Sequence, residues 1–214
     1  MPLYKTIDLE FNTRILIWKV AESLEELESK VELKPKTQLR FNGMKSELHK
    51  RAFLCVRMLF KEIGVSDFDL HYDKFGKPYL SDQRHISITH SHNFAAIIVS
   101  DKTVGIDMEL QREKIIRIAD KFVDSEFTYL QPELQDEYVK KLTVIWGAKE
   151  AIFKIRNEKG ISFKDHIQVD NFLLDQNQTK ACLLFDNLQM KFEVYYLEVE
   201  SFTLVYTFEG KILI

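Results

Sequence analysis

Positive charge is not in excess in this chain: 30 Lys and Arg stand against 33 Asp and Glu in 214 residues, a formal net charge of -3. A global basic field that would draw long nucleic acids is thereby excluded. Cysteine is scarce. Cys55 and Cys182 lie far apart inside apolar runs, with neither a C-x-x-C pairing nor metal-ligand spacing. Two reduced, buried thiols and a reducing cytoplasm are therefore expected, not a disulfide framework. No stretch approaches the roughly 18 apolar residues of a membrane span, and the start, Leu3-Tyr4-Lys5-Thr6, lacks the apolar core of a signal peptide. Neither nucleic acid nor membrane is expected as a partner. What is plentiful is core material: 45% hydrophobic residues and 16 Phe, enough for one large domain or two small ones.

Read in order, residues 3–20 give one or two strands, clearest over residues 13–20. Ser23 and Glu26 have the spacing of a capping box and open a short acidic helix, and Lys34-Pro35-Lys36 then marks a break. A long helix is predicted from about Met44 to Ile63, where Leu48, Ala52, Cys55, Val56, Leu59 and Ile63 recur at three- and four-residue spacing until Gly64 stops it. Short strands follow near residues 70–72, 75–80 and 85–92, with Gly76 and Pro78 holding Lys77 at an exposed turn tip. Residues 95–99 form a continuous apolar run suited to a strand covered on both faces. Asp101-Lys102-Thr103 turns that run into the strand around Gly105, which predicts a hairpin.

Residues 112–136 are polar and mixed, with an amphipathic helix over Ile115–Phe122 and another starting at Ser125. A second long helix spans about Asp136 to Arg156, and strands return at 167–169, 181–185, 191–196 and 202–208. A long helix followed by strands thus occurs twice, and residues 93–106 resemble residues 201–214. The expected fold is α+β: two pseudo-symmetric halves, residues 1–103 and 104–214, each a long helix packed on a mainly antiparallel sheet, with the active site between them.

Two stretches carry the chemistry. In Val104-Gly105-Ile106-Asp107-Met108-Glu109-Leu110 the apolar side chains alternate with Gly105, Asp107 and Glu109, so a strand puts both carboxylates on one face. In the second long helix Tyr138, Leu142, Ile145, Ala148, Ile152 and Ile155 line one side, and Val144, Trp146, Ala151 and Phe153 widen the arc. Such a helix is largely buried, and its polar stripe is only Thr143, Gly147, Glu150 and Lys154. Taken alone, Glu150 and Lys154 read as an ordinary exposed pair one turn apart, worth a few tenths of a kcal/mol. Asp and Glu are poor strand formers, however, and three carboxylates with an ammonium are a kit for a magnesium-bound phosphate.

The ordered set Gly76-Lys77-Pro78, Ser87-x-Thr89-His90-Ser91, Gly105-Ile106-Asp107-x-Glu109 and Trp146-x-x-Lys149-Glu150-Ala151-x-x-Lys154 resembles the phosphopantetheinyl transferase superfamily, in its longer single-chain form that activates peptide and fatty-acid synthases. The match spans residues 76–154, and Arg51 on the first long helix extends it. The resemblance implies transfer of the phosphopantetheine arm of coenzyme A to a serine of an acyl or peptidyl carrier protein, with release of adenosine 3′,5′-bisphosphate. It places Asp107 and Glu109 among the ligands of Mg²⁺, Glu150 as a third ligand and candidate base, and Lys154 beside the bridging oxygen. Arg51, Lys77 and His90 match positions that hold the phosphates of coenzyme A, with Lys36 a weaker match; His49, His71, His85, His92 and His166 are given structural roles only.

The chain departs from the pattern at Gly147, where many relatives carry Ser or Thr, and at Thr89, where Ser is commoner. A helical Gly costs about 0.5–1 kcal/mol against Ala, so close packing against a neighbour is expected at Gly147. The carrier is expected to dock near Ile115–Phe122 and the loop after it, where Arg112, Lys114, Arg117 and Lys121 mix with Glu113 and Asp120, while Phe122 and Phe127 are assigned to the core. A monomer is expected, because two halves in one chain supply what smaller relatives assemble from separate subunits. Two other readings stay open: a metal-dependent nucleotide phosphodiesterase or hydrolase, and a non-catalytic scaffold for a carrier protein.

Overall fold

The computed structural model describes residues 3–213. Met1, Pro2 and Ile214, the last of which closes the second repeat match, lie outside the described residues. The chain divides into two compact units, residues 1–103 and 104–214.

The first unit opens with a hairpin of β1 (Leu3–Leu9) and β2 (Thr13–Lys19). Three helices follow: α1 (Leu24–Glu28), α2 (Pro35–Asn42) and α3 (Glu47–Glu62). The capping box at α1 is present, with the Glu26 amide donating to Ser23 Oγ at 3.2 Å and the Ser23 amide to Glu26 Oε2 at 2.8 Å. Pro35 does not merely break the chain: it is the first residue of α2, where its missing N–H costs nothing. The long helix starts later than Met44, because Ser46 caps it by accepting from the His49 amide at 3.4 Å. Leu48, in that first turn, is exposed, whereas Ala52, Cys55, Val56 and Leu59 pack with Leu16, Trp18 and Ile97 in the unit's core. Gly64 takes φ +75° beyond the last turn.

Strands β3 (Leu70–Tyr72) and β4 (Pro78–Leu80) make a separate two-stranded ribbon, while β5 (His85–Ser91) and β6 (Phe94–Ser100) complete an antiparallel sheet in the order β1-β2-β6-β5. Every residue of β6 is buried, as its apolar run predicts. Arg57, which periodicity places on the apolar side of α3, is held by a buried ion pair to Asp67 at 3.0 Å and lies 3.5 Å over the Phe53 ring.

The second unit begins with β7 (Val104–Leu110) and contains the helices α4 (Gln135–Arg156) and α5 (Phe163–His166). Its strands β8 (Ile167–Val169), β9 (Gln178–Phe185), β10 (Leu188–Val199) and β11 (Phe202–Phe208) form an antiparallel sheet ordered β7-β11-β10-β9-β8, with β12 (Lys211–Ile212) paired to β10. Helix α4 covers this sheet, and Leu142, Ile145, Ala148 and Ile152 join Phe192, Val194 and Val205 in the core.

Two expectations are corrected. No hairpin joins β6 to β7: β6 is already bonded to β2 on one side and β5 on the other, and β7 gives its whole ladder to β11, from Val104 opposite Phe208 to Leu110 opposite Phe202. Residues 101–103 are the connection between units, not a hairpin turn. The amphipathic stretch before Phe122 is 3₁₀, over Glu113–Lys121, with a second 3₁₀ turn at Ser125–Thr128. Ile115 donates to Arg112 O at 3.0 Å and Phe122 to Ala119 O at 3.0 Å, the three-residue spacing of that tighter coil.

Candidate active site

Two glycines set how closely α4 lies on the sheet. A Cβ on Gly105 would overlap the carbonyl of Ala151, so the helix backbone rests directly on β7. A Cβ on Gly147 would come 2.6 Å from Val205 Cγ2 on β11. The face of β7 that carries Gly105, Asp107 and Glu109 is therefore the one turned to the helix, and it is not a wet face: Asp107 is 4% exposed. Ile106 and Met108, on the opposite face, are buried as well.

This contact puts the polar stripe of α4 above the carboxylates of β7. Lys154 Nζ donates to Asp107 Oδ1 at 2.8 Å and to Ile106 O at 2.9 Å. Glu150 stands one turn earlier, half-buried. Burial pushes its carboxyl up to about 7, the charge of Asp107 adds to the rise, Lys154 opposes it, and Glu109 adds the smallest part. Asp107, Glu109, Glu150 and Lys154 thus share one electrostatic neighbourhood. Among the described residues no three His, Cys, Asp or Glu side chains close on a single point as a finished cage; Lys154 holds Asp107 Oδ1 instead. The rest of the stripe is used for packing, since Thr143 donates back to Val139 O at 2.7 Å and Gly147 meets Val205.

The residues matched to phosphate contacts all lie in the first unit. Arg51, on α3, donates from Nε to Glu22 O at 2.7 Å and from Nη2 to Val20 O at 3.5 Å. Lys77 is half-buried and not at an exposed tip; its amide donates to Asp73 Oδ1 at 2.9 Å, and Phe75 is the side chain at the tip, 62% exposed. His90 is exposed near the end of β5, its ring centroid 6.2 Å from that of His49. Lys36 is exposed at the second position of α2.

Sequence reasoning gave no role of its own to Lys149, quoted only within the motif, or to Glu126. Lys149 is wholly buried, its Nζ 2.7 Å from Glu126 Oε1, and it donates to Phe122 O at 2.6 Å and Phe163 O at 3.0 Å. Burial pulls the ammonium's pKa down while Glu126 opposes that pull. A signal was present, because Lys149 falls in line with Leu142, Ile145 and Ile152 on the buried arc of α4, where a cation must have a partner. Glu126, inside the mixed stretch 112–136, carried none. Phe122 is buried as assigned, but Phe127 is 43% exposed.

Comparison with known proteins bears on this same unit. Residues 103–207 match the family model of the 4′-phosphopantetheinyl transferase superfamily. The chain is 30% identical over 124 residues to 4′-phosphopantetheinyl transferase gsp of Aneurinibacillus migulanus, covering 58% of this chain and 50% of that protein. It is 26% identical over 120 residues to 4′-phosphopantetheinyl transferase Sfp of Bacillus subtilis strain 168, covering 55% and 51%. The chain spans about half the length of these curated relatives. The motif-bearing strand and helix, β7 and α4, both lie inside the matched region, and it is over this region that the chain is similar to the 4′-phosphopantetheinyl transferase superfamily.

Proposed function

We propose that the protein transfers the 4′-phosphopantetheine arm of coenzyme A to a serine hydroxyl of an acyl or peptidyl carrier protein, releasing adenosine 3′,5′-bisphosphate. The observation that carries this reading is Glu150, a half-buried carboxyl poised near 7 beside Asp107 and Lys154. In this reading Glu150 takes the proton from the serine hydroxyl as that oxygen bonds to the phosphorus of the arm. The pyrophosphate P–O bond breaks in the same displacement, and Lys154 donates to the oxygen that departs with the bisphosphate. An all-oxygen donor set of Asp107, Glu109 and Glu150, whose mutual repulsion shows in the raised Glu150, suits Mg²⁺. When bound, the ion neutralises charge on the pyrophosphate oxygens. Lys36, Arg51, Lys77 and His90 contribute contacts to the phosphates of coenzyme A, and the 3₁₀ segments between residues 113 and 128 face the carrier.

The reading of the two units as copies of one α+β half has support in their strand order. In each, the strand before the long helix pairs with the last long strand, which pairs in turn with the strand before it: β2-β6-β5 and β7-β11-β10. The function is tested by incubating the protein with coenzyme A, Mg²⁺ and a panel of unmodified carrier proteins and reading intact mass. Attachment of the arm is expected; no transfer to any carrier, with coenzyme A unbound, overturns the reading. Cleavage of coenzyme A without a carrier would favour a nucleotide hydrolase.

A further inference from the structure

The Lys149–Glu126 pair is unusual for its burial and for the number of segments it joins. Lys149 and Glu126 are 0% and 1% exposed. The ammonium has three acceptors, Glu126 Oε1, Phe122 O and Phe163 O, one for each of its protons. The carboxylate is equally well used: Glu126 Oε1 accepts from the Val169 amide at 3.0 Å and Oε2 from the Asp124 amide at 3.0 Å. One buried hub thus binds the 122–126 segment to α4, to the start of α5 and to β8. A charge pair this dry persists only when every bond is made, and so it fixes one arrangement of its partners.

Helix α4 does not need this hub for its own placement, since Gly105 and Gly147 already seat it on the sheet. The 3₁₀ turn at Ser125–Thr128 has less to hold it, a Gln168 Nε2 to Ser125 Oγ bond at 2.6 Å beside the hub. It is a single short turn in which Phe127 and Thr128 are exposed directly after the buried Glu126. We propose that Lys149 and Glu126 are positioning residues that hold the segment 122–128 rigid and present Phe127 and its neighbours in a fixed, carrier-binding arrangement. The idea rests on the transferase reading above. A rigid segment pays no ordering cost when the partner docks, so the pair acts on the Michaelis constant for the carrier and not on the chemical step.

The test combines two variants with amide exchange in the full-length protein. Lys149→Met cuts the hub, whereas Glu126→Gln keeps an oxygen acceptor in the same place. Lys149→Met is expected to raise the carrier KM by about tenfold with kcat and the coenzyme A KM unchanged, and Glu126→Gln to stay within about threefold of the wild-type carrier KM. A merely structural role predicts a lower kcat at unchanged KM, because only the folded fraction works, and that result overturns the proposal. In the wild-type protein the Asp124 and Val169 amides should exchange as slowly as those in the middle of α4. Fast local exchange at Asp124 and Val169 overturns the proposal even if Lys149→Met fails to fold. If the wild-type protein transfers nothing to any carrier, the transferase reading fails, while the exchange pattern still decides whether the hub holds the segment.

Discussion

Replacing Gly147 by alanine sets a gain against a clash, and the structure says which wins. Alanine in a helix interior is favoured over glycine by about 1 kcal/mol, so on propensity alone the variant is stabilised. The new Cβ, however, would lie 2.6 Å from Val205 Cγ2 and 3.1 Å from Val205 Cβ. Val205 is fully buried on β11, and a β-branched side chain whose own Cβ is too close cannot turn away. Overpacking of this kind costs about 1–3 kcal/mol, and set against the propensity gain the net expectation is destabilisation by up to roughly 2 kcal/mol. Val205→Ala alone removes about two buried methyl groups and costs roughly 2 kcal/mol. In the double variant the added methyl occupies the space the valine vacates, so the combined loss should be smaller than the sum by about 1–2 kcal/mol. Urea midpoints of the four proteins at unchanged slope measure this directly. A Gly147→Ala protein more stable than wild type, or losses that simply add, would refute the account of Gly147 as the contact point between α4 and β11. Because the added Cβ would also lie 3.8 Å from Asp107 Oδ2, lifting the helix at this point should slow transfer in Gly147→Ala, with recovery in the double variant.

Other outcomes follow from the same geometry. Glu150 titrates near 7 in the folded protein against 4.5 when unfolded, so the native state holds the extra proton between those values. Stability should therefore fall as pH rises from about 4.5 to 7, by up to roughly 3 kcal/mol before solvent screening, and urea midpoints of Glu150→Gln should lack that slope. Lys154→Met removes the cation that restrains this rise; the acid limb of the kcat/KM profile should move to higher pH, and the rate should drop about 10²-fold or more. Asp67→Ala strands the buried Arg57 and should cost about 3–5 kcal/mol in urea unfolding, with loss of the first unit's near-ultraviolet signal. Cys55 is fully buried, with its thiol pushed up to about 12 by burial, while Cys182 is half-exposed; a thiol reagent should label Cys182 in the native protein and reach Cys55 only on unfolding.

Helix α3, helix α4 and strand β7 were legible because each has a strong period of its own: three- and four-residue recurrence around Ala52–Leu59 and Leu142–Ile155, and alternation over Val104–Leu110. The β6–β7 hairpin was misread for the complementary reason. Turn residues at 101–103 report a local reversal, but whether two strands pair depends on which edges are taken, and β6 had none left after β2 and β5 bonded to it. Alternation put Asp107 and Glu109 on one face of β7, as the structure has them, but it shows only which side chains share a face and not what covers that face. Gly105 and Gly147 were the residues that recorded the cover. At Gly147 the cost of a glycine inside a helix pointed to a close neighbour; Gly105 stands in the sequence only as part of a motif.

The neighbours Lys149 and Glu150 show how much one position along a helix decides. They are adjacent in sequence, yet about 100° of rotation separates their side chains. Lys149 points into the apolar arc, where a charge is tolerated only with every proton bonded, and so it is spent on Glu126, Phe122 O and Phe163 O. Glu150 points along the polar stripe toward β7, where burial and the nearby Asp107 make it keep its proton up to near neutral pH. A lysine moved one position later would sit beside Asp107 as a second ammonium; a glutamate moved one position earlier would face Glu126 with no cation between them. The order Lys149-Glu150 therefore assigns one charge to architecture and leaves the other titrating near 7 beside Asp107, and exchanging the two should abolish both the fold of the 122–128 segment and that titration.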